Sequence, residues 1–321
     1  RVPARYEVLL GIPKMAFLST LLPLLLFSIT SLDPPSCAGI MPSPFTTPLK
    51  RGDATQKVAL LQVLLSRAVV NASSLGENAS GSFDAATGVA LRSFQRSRSL
   101  TPSGILGRAS ALALIAAAGD DGYVDDGASA ASYGAQYLYK ILLPLHRNRS
   151  IETNATLLDA QNKVIFSFRT RAKGHVADGC GVRMNEQWPS FNNTGDGLNM
   201  WSSDGMTPTG LFEIDPQTPE GNATLYGPYP VTRFVRGLRG NAAVLLPHHR
   251  NGVLLHTGEW SGWTPSEDMP DSAGCVHTLP EMVKRIWKTA VALGAVVRKN
   301  TNGALPYPYT PQAVASVFLI D

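Results

Sequence analysis

The chain has 321 residues, of which 44% are hydrophobic and 16% are charged. This length exceeds one ordinary hydrophobic core, so we expect two folded domains with connecting sequence, and the composition excludes a chain that is disordered throughout. The net charge is only +4 and the basic residues form no long run, which argues against nucleic acid as a partner.

The N-terminal region has the pattern of a secretory signal peptide. Residues 16–32 are almost free of charge, Lys14 and Met15 precede them, and small residues follow at 36–39. This pattern predicts upstream residues and a signal peptide over 1–39, with the signal itself within about residues 15–39. An uncleaved membrane anchor is the alternative, because the apolar run lies at the short edge of spanning length. We expect no other membrane contact.

Asn-x-Ser/Thr sequons support a secreted, N-glycosylated protein. They begin at Asn71, Asn78, Asn148, Asn154, Asn192 and Asn222. Such sequons are common by chance, but six of them behind a signal peptide favour an extracellular location.

A small all-α module is predicted after a proline-containing linker at 40–51. Apolar residues recur at helical spacing near Val58–Leu65, after Asp84, and between Arg108 and Ile115. This spacing, with Asp84 as a helix cap, predicts a three-helix module at 52–118. Residues 119–136 are acidic and rich in small side chains, which predicts a flexible linker between two folding units.

Three short motifs lie in this module: Gly81-Ser-Phe-Asp-Ala-Ala-Thr87, Leu91-Arg-Ser-Phe-Gln95 and Gly104-Ile-Leu-Gly107. With these motifs the segment resembles the peptidoglycan-binding-like helical domains. The resemblance implies peptidoglycan, or a related cell-wall peptide, as a partner. Phe83, Phe94 and the glycines are interpreted as determinants of the fold, and no residue is assigned a direct ligand contact.

The pattern becomes mostly β from about Tyr137. Runs of β-branched and aromatic residues predict strands at 163–170, 210–214, 243–246 and 252–256. One helix is predicted from Leu279 to Leu293, with Thr278 as a possible cap. The sequence therefore predicts a mainly-β domain at 137–304 and a C-terminal tail at 305–321.

Cysteine use points to chemistry rather than to a scaffold. The cysteines are Cys37, Cys180 and Cys275, too few for a disulfide framework in a secreted chain of this size. Cys37 lies near the predicted cleavage point, so Cys180 or Cys275 is a candidate reactive thiol. Cys180 is either free or paired with Cys275, and Cys275 could instead be a buried structural thiol.

The residues around Cys275 could supply a nucleophile, a base and an oxyanion hole. His256 ends an apolar run, predicted to be a buried strand that holds the imidazole rigidly, and Gly258 lets the chain turn. Gly274 favours a turn in which amide N–H groups converge to bind an oxyanion. The histidines and cysteines lack the spacing of a zinc site, so no metal or cofactor is expected.

Three further motifs follow one another: Thr207-Pro-Thr-Gly-Leu-Phe212, His256-Thr-Gly258 and Ser272-Ala-Gly-Cys-Val-His277. With these motifs the C-terminal region resembles the catalytic domain of the L,D-transpeptidases (YkuD-like). The resemblance implies a mainly-β sandwich or barrel, and a secreted cysteine acyltransferase that acts on peptidoglycan stem peptides through a Cys275 thioester. It leaves open cross-linking to an amine and trimming by water, which is an L,D-carboxypeptidase activity.

The same resemblance implies roles for single residues. Cys275 is the nucleophile, His256 is the base, and the carbonyl of Thr257 orients the ring. Amides around Gly274 and Cys275 receive the oxyanion, and Ser272 belongs to the same turn. The side chains or backbone expected to contact substrate are those of His277, Thr209 and Gly258.

Two positions depart from the family pattern. Ala273 stands where the family has His, and His277 stands where Arg or Asn is common. These departures support an alternative hypothesis, a catalytically weakened or inactive secreted protein that binds the cell wall. His277 either contacts substrate or shields the following helix, and Trp260 and Trp263 either cover the peptide or pack beneath their loop. We expect a monomer.

Overall fold

The computed structural model describes residues 41–296 and 309–321, with gaps. The gaps are residues 42–43, 71, 78, 120, 148, 150, 173–199, 202–204, 219–221, 261 and 271. The predicted signal peptide, Cys37 and Cys180 therefore lie outside the described residues. In the part of the chain that is described, no helix is both long and apolar enough to cross a membrane.

The described residues form eight helices and eight strands. The helices are α1 (Gln56–Ala68), α2 (Ser73–Glu77), α3 (Ala85–Ser97), α4 (Arg108–Ala118), α5 (Ala130–Tyr133), α6 (Ala223–Tyr226), α7 (Gly240–Leu245) and α8 (Pro280–Ala292). The strands are β1 (Tyr139–His146), β2 (Thr153–Asp159), β3 (Val164–Ala172), β4 (Gly210–Thr218), β5 (Val231–Arg239), β6 (Leu254–His256), β7 (Val276–Thr278) and β8 (Ala313–Ile320).

The N-terminal module consists of α1, α3 and α4 around a common apolar core, with α2 as a short addition. Its most buried side chains include Leu61, Leu64, Leu91, Phe94 and Leu114. The carboxylate of Asp84 caps α3 by accepting hydrogen bonds from the amide of Thr87 at 2.8 Å and from its hydroxyl at 2.7 Å. The predicted three-helix module and the Asp84 cap are confirmed.

The strands form a closed barrel in the order β1-β2-β3-β7-β6-β5-β4-β8, which confirms the mainly-β prediction and makes the architecture a barrel. Two neighbouring pairs, β1–β8 and β6–β7, are parallel and the others are antiparallel. A parallel pair needs a long crossover connection. Residues 257–275 are that connection between β6 and β7, so the loop before Cys275 is demanded by the topology.

The predicted C-terminal tail at 305–321 is wrong for its second half, because Ala313–Ile320 forms strand β8. This strand pairs in parallel with β1 and antiparallel with β4, and its first five residues are buried. It therefore completes the barrel. Its apolar run lacks the alternation of a half-buried strand, and both partners lie far away in sequence, so a local pattern could not identify it.

Two smaller predictions are also corrected. Residues 243–246 were expected to form a strand, yet α7 extends to Leu245, with Ala242 and Leu245 buried and Ala243 exposed. A short apolar run fits either a strand or a helix, and here packing against β4 and β5 selects the helix. Thr278 does not cap α8: it lies in β7, and Leu279 occupies the N-cap position.

Residues 121–136, expected to be a flexible linker, make specific contacts with the barrel. The carboxylate of Asp121 accepts a hydrogen bond from the amide of Asn241. The ammonium of Lys140, which is fully buried, donates to Asp125 at 2.9 Å. We call residues 121–136 the strap. Its acidic composition resembles that of a flexible linker, but its partners come from distant positions that composition does not reveal.

Candidate active site

The candidate active site is assembled on the parallel strand pair β6–β7. The register pairs Leu255 with Val276 and His256 with His277. Residues paired in this way point to the same face of a sheet, and side chains alternate along a strand. Cys275 directly precedes β7 and stands two residues before His277. The register therefore pairs the predicted base with a residue two positions after the predicted nucleophile.

His256 is fixed in one tautomer. The side chain is 4% exposed, and its Nδ1 lies 2.6 Å from the carbonyl oxygen of Thr257. A carbonyl only accepts, so Nδ1 carries the hydrogen and the lone pair of the neutral ring is on Nε2. The ring of Tyr226 meets the imidazole nearly edge-on, with centroids 5.2 Å apart.

Burial also decides the charge of His256. Burial lowers the pKa of His256 to about 4, and the hydrogen bond to Thr257 opposes only part of that change. The imidazole is therefore neutral at pH 7, which is the form that can accept a proton. The predicted link from the Thr257 carbonyl to the ring is present as a direct hydrogen bond.

The thiol of Cys275 is partly exposed and lies at the end of a tight turn. Its Sγ donates to the carbonyl of Gly252 at 3.4 Å. Ser272 holds the turn from within, because its hydroxyl donates to the carbonyl of Cys275 at 2.6 Å and accepts from the amide of Gly274 at 3.2 Å. Ser272 therefore positions the backbone on both sides of the thiol.

The hydrogen bond from the Gly274 amide to Ser272 differs from the expected oxyanion hole. The Gly274 amide was predicted to face an oxyanion, but here it donates to Ser272. Gly274 has a φ of +100°, and an added Cβ would lie 2.3 Å from a guanidinium nitrogen of Arg250 and 2.3 Å from the carbonyl oxygen of Gly205. Glycine is thus required by both the backbone conformation and the lack of space.

Arg250 is a residue of the site that sequence reasoning missed. It is buried, and its guanidinium donates to the carbonyls of Met200 and Gly205, each at 3.0 Å, and to that of Met206. The hydroxyl of Thr207 donates to the carbonyl of Gly274 at 2.8 Å and so supports the turn before Cys275. The guanidinium of Arg250 fills the space beside Gly274 in the same turn. No local motif marks Arg250, since its partners are backbone carbonyls about 45 residues away in sequence.

His277 lies beside the predicted base rather than beside a helix end. It is 1% exposed, its Nδ1 is 2.8 Å from the carbonyl oxygen of Pro270, and its ring meets that of His256 edge-on at 4.7 Å between centroids. The indole of Trp260 contacts the other side of His277 at 4.9 Å. Of the two interpretations of Trp260, the structure favours packing beneath its loop. Trp263 contacts Trp260 in turn.

The remaining predicted residues divide between two places. Gly258 lies near the site, where an added Cβ would be 2.5 Å from the indole nitrogen of Trp260. The hydroxyl of Thr209 donates to Asp121 of the strap at 2.9 Å and accepts from the side-chain amide of Asn241 at 3.5 Å. Thr209 therefore links the strap to α7, and its predicted contact with substrate stays a prediction.

Pairing of Cys180 with Cys275 concerns a residue outside the described part of the chain. Among the described residues, no three His, Cys, Asp or Glu side chains come together in a group that could hold a metal ion.

Residues 55–114 match the sequence model of a family described as "Putative peptidoglycan binding domain". This segment is the helical module, so the expected family of the module is confirmed. Among curated proteins, none matches the chain significantly.

Three solved structures are similar to the chain. A crystal structure of the L,D-transpeptidase from Xylanimonas cellulosilytica DSM 15894 has 15% identity and a TM-score of 0.26, over 86% of this chain and 99% of that chain. Bd1075 from Bdellovibrio bacteriovorus has 13% identity and a TM-score of 0.32, over 57% of this chain and 49% of that chain.

The third is a fused Zn-dependent amidase/peptidase/peptidoglycan-binding domain-containing protein from Clostridium acetobutylicum ATCC 824. It has 14% identity and a TM-score of 0.22, over 85% of this chain and 99% of that chain. The barrel described above rests on the strand order of this chain and not on these similarities.

Proposed function

We propose that the chain is a cysteine acyltransferase of the L,D-transpeptidase type that acts on peptidoglycan stem peptides through a thioester on Cys275. The register of β6 and β7 supports the proposal, because it pairs His256 with His277, two residues after the thiol. The hydrogen bond to Thr257 leaves Nε2 as the basic nitrogen of a ring that is neutral at pH 7. A thiol beside a neutral, oriented imidazole is the arrangement that nucleophilic catalysis requires.

In the first half-reaction, Sγ of Cys275 attacks the carbonyl carbon of the bond before a terminal D-alanine. The S–H proton passes to Nε2 of His256, and the carbonyl electron pair moves onto oxygen. When the tetrahedral intermediate collapses, the C–N bond breaks and His256 returns the proton to the leaving amine. The S–H bond must first turn from the carbonyl of Gly252, 3.4 Å away, towards the ring.

In the second half-reaction an amine or water attacks the thioester carbon. Its proton passes to His256, the C–S bond breaks, and the thiolate recovers the proton. An amine acceptor gives a cross-link and water gives a shortened stem. Stabilisation of the oxyanion would use the amides of the 274–275 turn, for which the 3.2 Å hydrogen bond from Gly274 to Ser272 must be exchanged for one to the substrate oxygen.

The helical module supports a cell-wall partner. Its family is described by binding to peptidoglycan, and its surface is joined to the barrel through Arg67, whose guanidinium donates to the side chain of Asn241 at 2.7 Å. A module held in this way would keep a bound wall polymer near the barrel and raise the local concentration of stem peptides. We propose that the module binds and the barrel reacts.

Secretion and N-glycosylation belong to the same proposal. Asn154 and Asn222, two of the sequon residues that the structure describes, are both exposed, as an acceptor side chain must be. Treatment of protein from a eukaryotic secretory host with a glycosidase that removes N-glycans should lower its mass. An unchanged mass would argue against glycosylation and leave the enzymatic proposal intact.

The decisive experiment incubates the reduced full chain with muropeptides that carry tetrapeptide stems and identifies the products by mass. Transfer gives a dimer with loss of one D-alanine, and hydrolysis gives a tripeptide stem. The intact protein should carry an acyl or β-lactam adduct on Cys275. We expect His256→Ala to lower the rate about 10²- to 10⁴-fold. His248→Ala, at an exposed histidine, is the matched control and should react normally.

A second candidate function is binding to the cell wall without turnover. It is favoured by one observation, the engagement of the Gly274 amide by Ser272. If the chain sediments with insoluble peptidoglycan but forms neither product nor adduct, this second function replaces the first.

A further inference from the structure

Three polar side chains lie in a row across three neighbouring strands. The register pairs Arg171 of β3 with His277 of β7, and His277 with His256 of β6. Side chains paired directly across strands share a face and lie about 5 Å apart at Cβ. All three are buried, with exposures of 3%, 1% and 4% respectively. A cation and two imidazoles therefore share one buried row.

Hydrogen bonds fix the middle of this row. Nδ1 of His277 lies 2.8 Å from the carbonyl oxygen of Pro270, so it must carry the hydrogen. The guanidinium of Arg171 donates to the carbonyl of Met269, the preceding residue. Both side chains are thus anchored to consecutive carbonyls of the crossover loop.

The ring contact between the two imidazoles is equally specific. The planes of His256 and His277 are inclined at 81° with centroids 4.7 Å apart, and Trp260 packs on His277 from the loop side. The ring of Tyr226, from α6, also contacts His256, and Cys275 stands two residues before His277. The charges around Arg171 are mixed, because the carboxylate of Glu152 accepts a hydrogen bond from the amide of Met269, whose carbonyl Arg171 binds.

We propose that His277 is a positioning residue whose ring packs on His256, shields it from water and so preserves the hydrogen bond from Nδ1 to the Thr257 carbonyl. For its catalytic meaning this inference rests on the proposed function. His256 accepts the thiol proton there, while the ring of His277 keeps the imidazole in place.

The test uses ¹⁵N-histidine NMR of the full chain without substrate, with the His256 signals identified by their loss in His256→Ala. In the wild type we expect His256 as the neutral Nδ1–H tautomer at pH 7, and its protonation only near the pKa of about 4. Protonation of His256 above pH 6, or an Nε2–H form of its ring, would overturn the inference. If no histidine of the wild type titrates below pH 5, the inference fails even where no variant folds.

Two variants then separate positioning from general packing. In His277→Asn, which lacks the ring, the pKa of His256 should rise by about one unit towards its ordinary value and the second tautomer should appear, because water gains access. His277→Phe keeps an aromatic edge and should leave the tautomer and midpoint of His256 unchanged. Equal shifts in both variants, or none in His277→Asn, would contradict the inference.

Turnover of muropeptides gives an independent readout. In His277→Asn the acid limb of the profile of kcat/KM against pH should shift to higher pH. The shift should equal the rise in the pKa of His256 measured by NMR. If the wild type has no turnover while the NMR results hold, the proposed function fails and the positioning role of His277 stands. If turnover is found and the titrations of His256 are identical in all variants, only the inference about His277 fails.

Discussion

The helical module and the barrel are stabilised in different ways. The module is built from local helices with an apolar core and a side-chain cap at Asp84. The candidate site of the barrel depends on buried polar groups that hold backbone atoms: Arg250 binds carbonyls distant in sequence, and Ser272 binds an amide and a carbonyl of its own turn. Apolar packing tolerates changes of shape, whereas each buried polar group needs its particular partner. We therefore expect turnover by the barrel to be far more sensitive to single substitutions than binding by the module.

The largest expected effect tests whether the barrel carries out the reaction while the module binds the cell wall. Cys275→Ser keeps the shape of the side chain but removes the thiolate, and we expect turnover of muropeptides to fall by about 10⁴-fold or more. Binding to insoluble peptidoglycan, measured by co-sedimentation, should not change, since binding is assigned to the module. Loss of binding together with turnover would show that the two functions cannot be separated in this way.

A second effect concerns the dependence of stability on pH. The predicted helical module at 52–118 contains none of the six histidines, so a contribution of histidine to this dependence comes from outside the module. The pKa of His256 falls from 6.5 to about 4 on folding, so the unfolded chain binds more protons between these values. Stability should therefore be complete above pH 6.5 and decrease as the pH falls towards 4, by about 3 kcal/mol from this group. Urea unfolding at pH 7 and pH 4.5 measures the change.

His256→Gln should reduce this pH dependence. Because burial also lowers the pKa of His249, the difference between wild type and His256→Gln isolates the contribution of His256. An identical pH dependence in the two proteins would contradict the buried, neutral state of this ring.

A third effect isolates the crowding around the thiol turn. Gly274→Ala combines a φ of +100° with contacts of 2.3 Å to Arg250 and Gly205, whereas Gly294 has a φ of +98° and no atom within 4 Å of an added Cβ. We expect Gly294→Ala to cost about 1 kcal/mol from backbone strain alone, and Gly274→Ala about 2–3 kcal/mol. Equal melting temperatures for the two variants would remove the case for a tightly packed turn.

The smallest effect concerns the junction between the two regions. Arg67→Ala removes the hydrogen bond to Asn241 and should lower the free energy of unfolding by about 1 kcal/mol or less, because the arginine is exposed. Arg96→Ala, at an exposed arginine of α3, is the control. Faster proteolysis within the strap of Arg67→Ala, with Arg96→Ala unchanged, would support the role of Arg67 in joining the module to the barrel. Equal cleavage rates would argue against it.

Much of the module could be predicted from sequence. Helical hydrogen bonds join residues four apart, so the spacing of apolar side chains and the Asp84 cap already describe α1, α3 and α4. The pairing of Cys275 with His256 as candidates also came from short motifs. The sequence predicts a strand at 243–246 and a flexible linker at 119–136, and the structure has a helix and a strap with specific contacts there. In both segments the conformation depends on contacts with residues distant in sequence.

The amino-acid sequence by itself determined the helices of the module, the mainly-β character of the second half and the two candidate catalytic side chains. Only the tertiary structure decided the closure of the barrel by β8, the packing of Arg250 beside the thiol turn, and the row that joins Arg171, His277 and His256. Strand pairing joins residues far apart in the chain, as when β1 pairs with β8. Contacts of that kind depend on the whole fold, and no local pattern contains them.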